Sequence, residues 1–177
     1  MKKTNWKKSL CLTVLTVCMA FGLTACNKEM TDEEILANMK EFTTESETVA
    51  IHLEQDWTQE ELGIPSWLGA YSPNQSDAVV VIQVPKVEYS GMFSSLEDVQ
   101  ALMEENFQIS EKETVDAPVV PGISDLTAFV CNMSADSATG KGYIVYGESD
   151  YAYYMLGYVG NTLSDAKKRS FNVSCST

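Results

Sequence analysis

The chain has 177 residues, with 25 acidic against 12 basic residues and one histidine, for a net charge of −13. That balance argues against nucleic acid and against lying flat on anionic lipid; it favours a solvated acidic surface, with cationic partners or calcium as the weaker reading. One histidine excludes a zinc site that needs two imidazoles, and a Ser-His-Asp or Cys-His enzyme would have to use His52.

Lys2, Lys3, Lys7 and Lys8 precede an apolar run from Leu10 to Leu23. The run suits the core of a signal peptide and falls short of the roughly 20 residues that span a bilayer. Leu23-Thr24-Ala25 then leads directly into Cys26. This order resembles the lipobox of bacterial lipoprotein precursors, over all of Met1–Cys26. The resemblance implies a diacylglyceryl group on the Cys26 thiol, cleavage just before Cys26, and often acylation of the new amine. The competing readings are an ordinary signal peptide cut after Ala25 and an uncleaved anchor. A single acyl chain holds a protein only marginally, whereas two or more hold it durably, each buried methylene adding roughly 0.8 kcal/mol. Asn27 is not the Asp that often retains such proteins at an inner membrane.

The expected organisation is therefore a signal peptide over 1–25, a lipid-anchored segment with a first helix over 26–43, and a folded domain over 44–177. Without the first 25 residues the chain has eight basic against 25 acidic residues, a net charge of −17. The roughly 150 residues that remain suit one domain. Cys131 and Cys175 are the cysteines left besides Cys26. Outside the cytoplasm they can form a disulfide. Alternatively, Cys131 is a buried strand residue and Cys175 an exposed one near a frayed end.

In chain order, Thr31 with Glu34 reads as a capping box, and Ile35, Leu36, Met39 and Phe42 predict a helix of about 11 residues. Val49, Ile51 and Leu53 alternate with polar neighbours over Glu45–Leu53, the pattern of a strand with one covered face. A turn through Gly63-Ile64-Pro65 leads to a strand at Trp67–Tyr71. Ala78–Val84, broken only by Gln83, predicts a central strand covered on both faces. Ser94 with Glu97 reads as a second capping box, opening a helix that ends near Asn106 with Leu96, Val99, Leu102, Met103 and Phe107 on one face. Ile109–Ala117 is polar and charged, as an edge strand requires. Strands follow at Leu126–Met133, Gly140–Tyr146 and Tyr151–Val159, the last two joined by Gly147–Asp150, and a short helix runs from Thr162 through Arg169.

On the last strand Tyr153 and Met155 point one way, while Tyr154, Leu156 and Tyr158 point the other. Both faces need covering. Tight hairpins make neighbours antiparallel, and three amphipathic helices are available as covers. The expected fold class is thus α+β, an antiparallel β-sheet covered by helices on both faces (an α/β/α sandwich). A strand ending in Asp56-Trp57, the Trp67-Leu68-Gly69-Ala70 strand, the Val-rich strand, the Ser94-started helix and the Gly142-Tyr143 to Tyr158 hairpin, in that order, resemble the PsbP-like family over roughly Glu45–Val173. That family is named for an extrinsic protein of the oxygen-evolving complex, and small bacterial lipoproteins with this domain exist. The resemblance implies the same α/β/α architecture and a role in binding proteins or ions. It transfers no catalytic residue.

Motifs with catalytic chemistry are sparse. Gly-x-Ser-x-Gly, His-Glu-x-x-His and Cys-x-x-Cys are absent. Thr139-Gly140-Lys141-Gly142 lacks the Ser/Thr and the earlier glycine of a phosphate loop. Asp32-Glu33-Glu34 and Glu97-Asp98 lie where helix N-termini favour negative charge. His52 reads as a strand residue with a hydrogen-bonded ring before it reads as a catalytic base. Trp57, Trp67 and Tyr71 flank a loop-rich stretch and form the candidate binding surface; the plainer reading has both tryptophans plugging the ends of the sheet.

These observations lead to an expected lipid-anchored, extracytoplasmic and non-enzymatic binding or accessory module of the cell membrane. It has a protein or envelope partner, no nucleic acid, and no cofactor, metal or catalytic residue assigned. The alternatives are an envelope receptor for a small ligand or metal, and a hydrolase using Asp56 with Glu60 or Glu61.

Overall fold

The computed structural model describes residues 30–175 except Glu47, Glu61, Asp136 and Ser137. Cys26 and the rest of the lipobox lie outside the described residues. The strands and helices all fall in one unit that begins at Asp32.

The first element departs from the expected 11-residue helix. Helix α1 (Asp32–Leu36) is only five residues long, and the chain then enters strand β1 (Met39–Thr43). Asn38 closes the helix by donating from Nδ2 to the Glu34 carbonyl at 2.9 Å. β1 pairs antiparallel with β2 (Ala50–Glu54), setting Phe42 opposite Ile51. Both residues are buried. A short isolated helix has little stability of its own, so the cross-strand partner decides the conformation of Met39 and Phe42. The boundary placed at 43/44 falls inside this β1–β2 ribbon.

The main sheet has seven strands in the order β3-β4-β5-β9-β8-β7-β6, every neighbour antiparallel. They are β3 (Thr58–Glu60), β4 (Trp67–Tyr71), β5 (Asp77–Pro85), β6 (Ser110–Val115), β7 (Ser124–Ala135), β8 (Ala138–Glu148) and β9 (Ala152–Gly160). β3 is a short edge strand that the polar sequence Thr-Gln-Glu did not signal. β6 is the opposite edge, exposed and charged as its sequence requires. β9 is the middle strand. Its Tyr153 and Met155 enter one core cluster, and its Leu156 and Tyr158 the other.

The expected α/β/α sandwich does not form. The fold is mostly strand, and its three short helices make no covering layers. On one face Leu68, Val81, Val145 and Leu156 pack with Phe42, Ile51 and Leu53 of the β1–β2 ribbon, and with Phe171 and Cys175 of helix α3 (Asp165–Cys175). The other cluster gathers Ile82, Ile144, Tyr146 and Met155 with Val99 and Met103 of helix α2 (Leu96–Asn106). The segment read as the first covering helix is thus split between a five-residue helix and a strand, and a β-ribbon takes the place of the covering helix.

Two helix boundaries also shift. Ser95, not Ser94, caps α2, and its box partner is Asp98 rather than Glu97. The short Asp98 carboxylate accepts from the backbone N–H groups of both Ser94 and Ser95, at 2.9 and 3.2 Å. α3 continues past Arg169 to Cys175, because Phe171, Val173 and Cys175 find buried positions.

Candidate binding groove

A groove of about 700 Å3 opens over one face of the sheet. The β1–β2 ribbon contributes Glu41 and His52, and the connection between its strands contributes Thr48. The 120–124 loop forms a second wall, and Ser149, Asp150 and Tyr151 of the β8–β9 turn a third. Val81, Leu156 and Tyr154 rise from the sheet itself. The 120–124 loop can double back because Gly122 adopts φ +76°, a left-handed value that suits glycine. The turn is held by the Ser149 N–H donating to the Ala152 carbonyl at 2.9 Å and the Lys86 N–H donating to the Tyr151 carbonyl at 2.8 Å.

A polar chain runs beneath the groove. Thr48 Oγ1 donates to Gln83 Oε1 at 2.6 Å, and Gln83 Nε2 donates to Tyr154 Oη at 3.4 Å. Tyr154 Oη lies 3.3 Å from Ser149 Oγ. Gln83 is buried, and the β5–β9 register sets it opposite Tyr154. A buried amide must be hydrogen-bonded, so the one polar residue inside the apolar run of β5 marks this network. That interruption is the sequence signal by which the site could have been found; nothing local marks Tyr154, Ser149, Glu41 or Asp150.

Charge at the groove is one-sided. Glu41, which stands opposite His52 in the ribbon, and Asp150 line it, with no lysine or arginine among the lining residues. The floor is apolar and the walls carry oxygen acceptors and hydroxyls. Such a surface can hold a small molecule by shape and hydrogen bonds.

Of the residues singled out from sequence, His52 and Cys175 line the groove, and the others are placed elsewhere, mostly apart. Trp57 is buried 6.5 Å from the Tyr158 ring, and its Nε1 donates to Glu54 Oε2 at 3.3 Å. Trp67 packs against the cluster on the opposite face, and Tyr71 is half-buried at the end of β4. Trp57 and Trp67 enter clusters on opposite faces of the sheet and so do not share a surface, whereas Tyr71, four residues after Trp67 on β4, lies on the Trp67 side of that strand. Asp56 and Glu60 are exposed and line no part of the groove; Glu61 lies outside the described residues. Cys131 and Cys175 are both free and buried, in clusters on opposite faces. A bridge between them would have to pass through the sheet, so the disulfide that the sequence allows is not formed, and Cys175 is buried in α3 rather than exposed at a frayed end. Burial pushes their thiols up, to about 11 for Cys131 and about 12 for Cys175. His52 lines the groove, half-buried. Among the described residues no cluster of His, Cys, Asp and Glu is arranged to hold a metal ion.

No protein-family model matches the chain, and no curated protein matches it. Among the described residues no helix is long and apolar enough to cross a membrane.

Proposed function

We propose that the protein is a lipid-anchored, extracytoplasmic and non-enzymatic binding protein that takes a small ligand in the groove beneath the β1–β2 ribbon. The observation that carries the reading is the groove itself. Its volume of about 700 Å3 falls within the roughly 300–1,000 Å3 of small-molecule sites, and an apolar floor with a few placed polar groups is their usual make-up. The alternative of a small-ligand receptor thus becomes the preferred one. The anchor is supported by the lysine-rich start, the apolar run and Leu23–Cys26.

Two measurements test it. Labelled palmitate is expected to enter the wild-type protein and not the Cys26→Ser variant, and no incorporation into either rejects the anchor. A fragment library screened against the purified protein is expected to shift resonances of Ser149–Tyr154 and the 120–124 loop. No fragment acting there rejects the groove.

A second reading, a protein partner in the envelope, is favoured by exposed apolar side chains at Val87, Met92 and Tyr151. Crosslinking in cells is expected to trap a reproducible partner through these side chains if that reading holds.

A further inference from the structure

Resting on the groove reading, we infer that the ligand is a short peptide of alternating apolar and basic residues, lying extended along β2 as a third strand of the ribbon. Among the described residues β2 has β1 as its one ladder partner. Residues 48–52 line the groove without a break, whereas β1 contributes Glu41 alone, so the groove borders the side of β2 that β1 leaves open. Antiparallel neighbours alternate between pairs that exchange hydrogen bonds and pairs that do not. The Thr44 N–H donates to the Val49 carbonyl at 3.0 Å, which fixes the phase. Phe42 with Ile51 and Lys40 with Leu53 then exchange bonds across the ribbon, while Ala50 and His52 direct their N–H and C=O groups away from β1. Ala50 is exposed. An open strand edge takes an extended peptide through main-chain hydrogen bonds, and the pockets for alternate side chains set the choice of sequence.

The pleat and the charge select that sequence. Ile51 is buried toward the sheet, and Ala50 and His52 belong to the other face of the ribbon, with Glu41. Peptide side chains beside Ile51 therefore meet the apolar floor of Val81 and Leu156, and those beside Ala50 and His52 stand next to Glu41. Asp150 adds a second carboxylate from the β8–β9 turn. His52 can offset at most one of the two, and no lysine or arginine lines the groove. Lys86, beside the turn, is engaged by Glu148 at 2.7 Å. The net charge of −13 draws cations to the same surface. Pairing β2 with a second copy of the chain would instead set two such acidic rims together.

Isothermal titration of the purified full-length protein, in about 0.15 M salt to screen long-range attraction, tests this. The probes are end-blocked Lys-Val-Lys-Val-Lys, its Glu-Val-Glu-Val-Glu counterpart, spermidine, and the basic peptide N-methylated at either its lysine or its valine amides. The basic peptide is expected to bind, and the acidic one at least about tenfold more weakly. Methylating one set of amides should abolish binding and methylating the other should leave it, because alternate N–H groups of a strand face opposite neighbours. Ala50→Pro removes an outward N–H and no ladder bond, so it should weaken the basic peptide, with a thermal melt checking that the variant folds. Glu41→Gln and Asp150→Asn should each weaken it by about two- to fivefold. Equal affinity for spermidine, or binding of both methylated versions, overturns the strand pairing while the groove reading stands. Equal affinity for the acidic peptide, or indifference to both Glu41→Gln and Asp150→Asn, overturns the basic class. A dimer in sedimentation that Ala50→Pro dissociates assigns the edge to a second copy and overturns the peptide. If neither peptide binds while library fragments occupy the groove, the peptide assignment alone falls; if no fragment occupies it either, both readings fall.

Discussion

Lys167 donates to Asp77 Oδ1 at 2.6 Å, tying the start of β5 to the first turn of α3 across 90 residues of sequence. Ser76 Oγ donates to the other carboxylate oxygen at 3.0 Å, and the Lys167 ammonium stands 5.8 Å from the centre of the Tyr158 ring. Burial alone would raise the Asp77 carboxyl, but hydrogen bonds from Lys167, Tyr158 and Ser76 outweigh it and hold the group below the usual carboxylate range. Asp77→Asn is expected to cost about 1–3 kcal/mol, the worth of hydrogen bonds to a charged group.

The same pair gives a pH dependence with a definite sign. In the unfolded chain Asp77 binds its proton near the ordinary carboxylate pKa; in the folded chain it does so only at lower pH. Between those values the unfolded state holds more protons, so stability rises with pH. The contribution is fully present above about pH 5 and is lost as pH falls through the folded pKa, below about pH 4. Thermal melts of wild type and Asp77→Asn are therefore expected to differ at neutral pH and converge in acid. A difference independent of pH would remove the ion pair as its cause.

Cys131 and Cys175 should be recovered as separate free thiols from protein digested without reductant. Their burial, which pushes the two thiols up to about 11 and about 12, predicts slow alkylation at neutral pH until the protein is denatured. A peptide crosslinked through these two residues would contradict the placement of their clusters on opposite faces.

Trp57→Ala is expected to destabilise the protein by about 3–5 kcal/mol in urea denaturation, the cost of removing a buried aromatic ring. Trp67 belongs to the other face, so the costs of Trp57→Ala and Trp67→Ala should add to within about 0.5 kcal/mol. A large coupling would mean that the two rings share a surface.

Gly147→Ala tests the support of the groove loop. A Cβ at Gly147 would lie 2.5 Å from Ile123 Cγ2 and 3.0 Å from the Ser124 carbonyl oxygen. Relieving that overlap moves the chain at 123–124, at an expected cost of about 1–3 kcal/mol. Chemical-shift changes should extend through the 120–124 loop. If they stay confined to β8, the loop does not rest on this glycine.

The strands at Trp67–Tyr71, Ala78–Val84, Leu126–Met133, Gly140–Tyr146 and Tyr151–Val159 are legible from residue order, because alternation and turn chemistry act over a few neighbours. So is the need to cover both faces of β9, since Tyr153 and Met155 alternate with Tyr154, Leu156 and Tyr158. The lysines, the apolar run and Cys26 likewise state their expectation locally. Long-range partners decided the rest. Phe42 sits at helical spacing from Ile35 and Met39, yet pairing with Ile51 makes it a strand residue and replaces a covering helix with a ribbon. Gln83 reads as a blemish in an apolar run until the β5–β9 register puts it opposite Tyr154. Neither the separation of Cys131 from Cys175 nor that of Trp57 from Trp67 is written in sequence spacing, because which face a side chain joins depends on how distant strands dock.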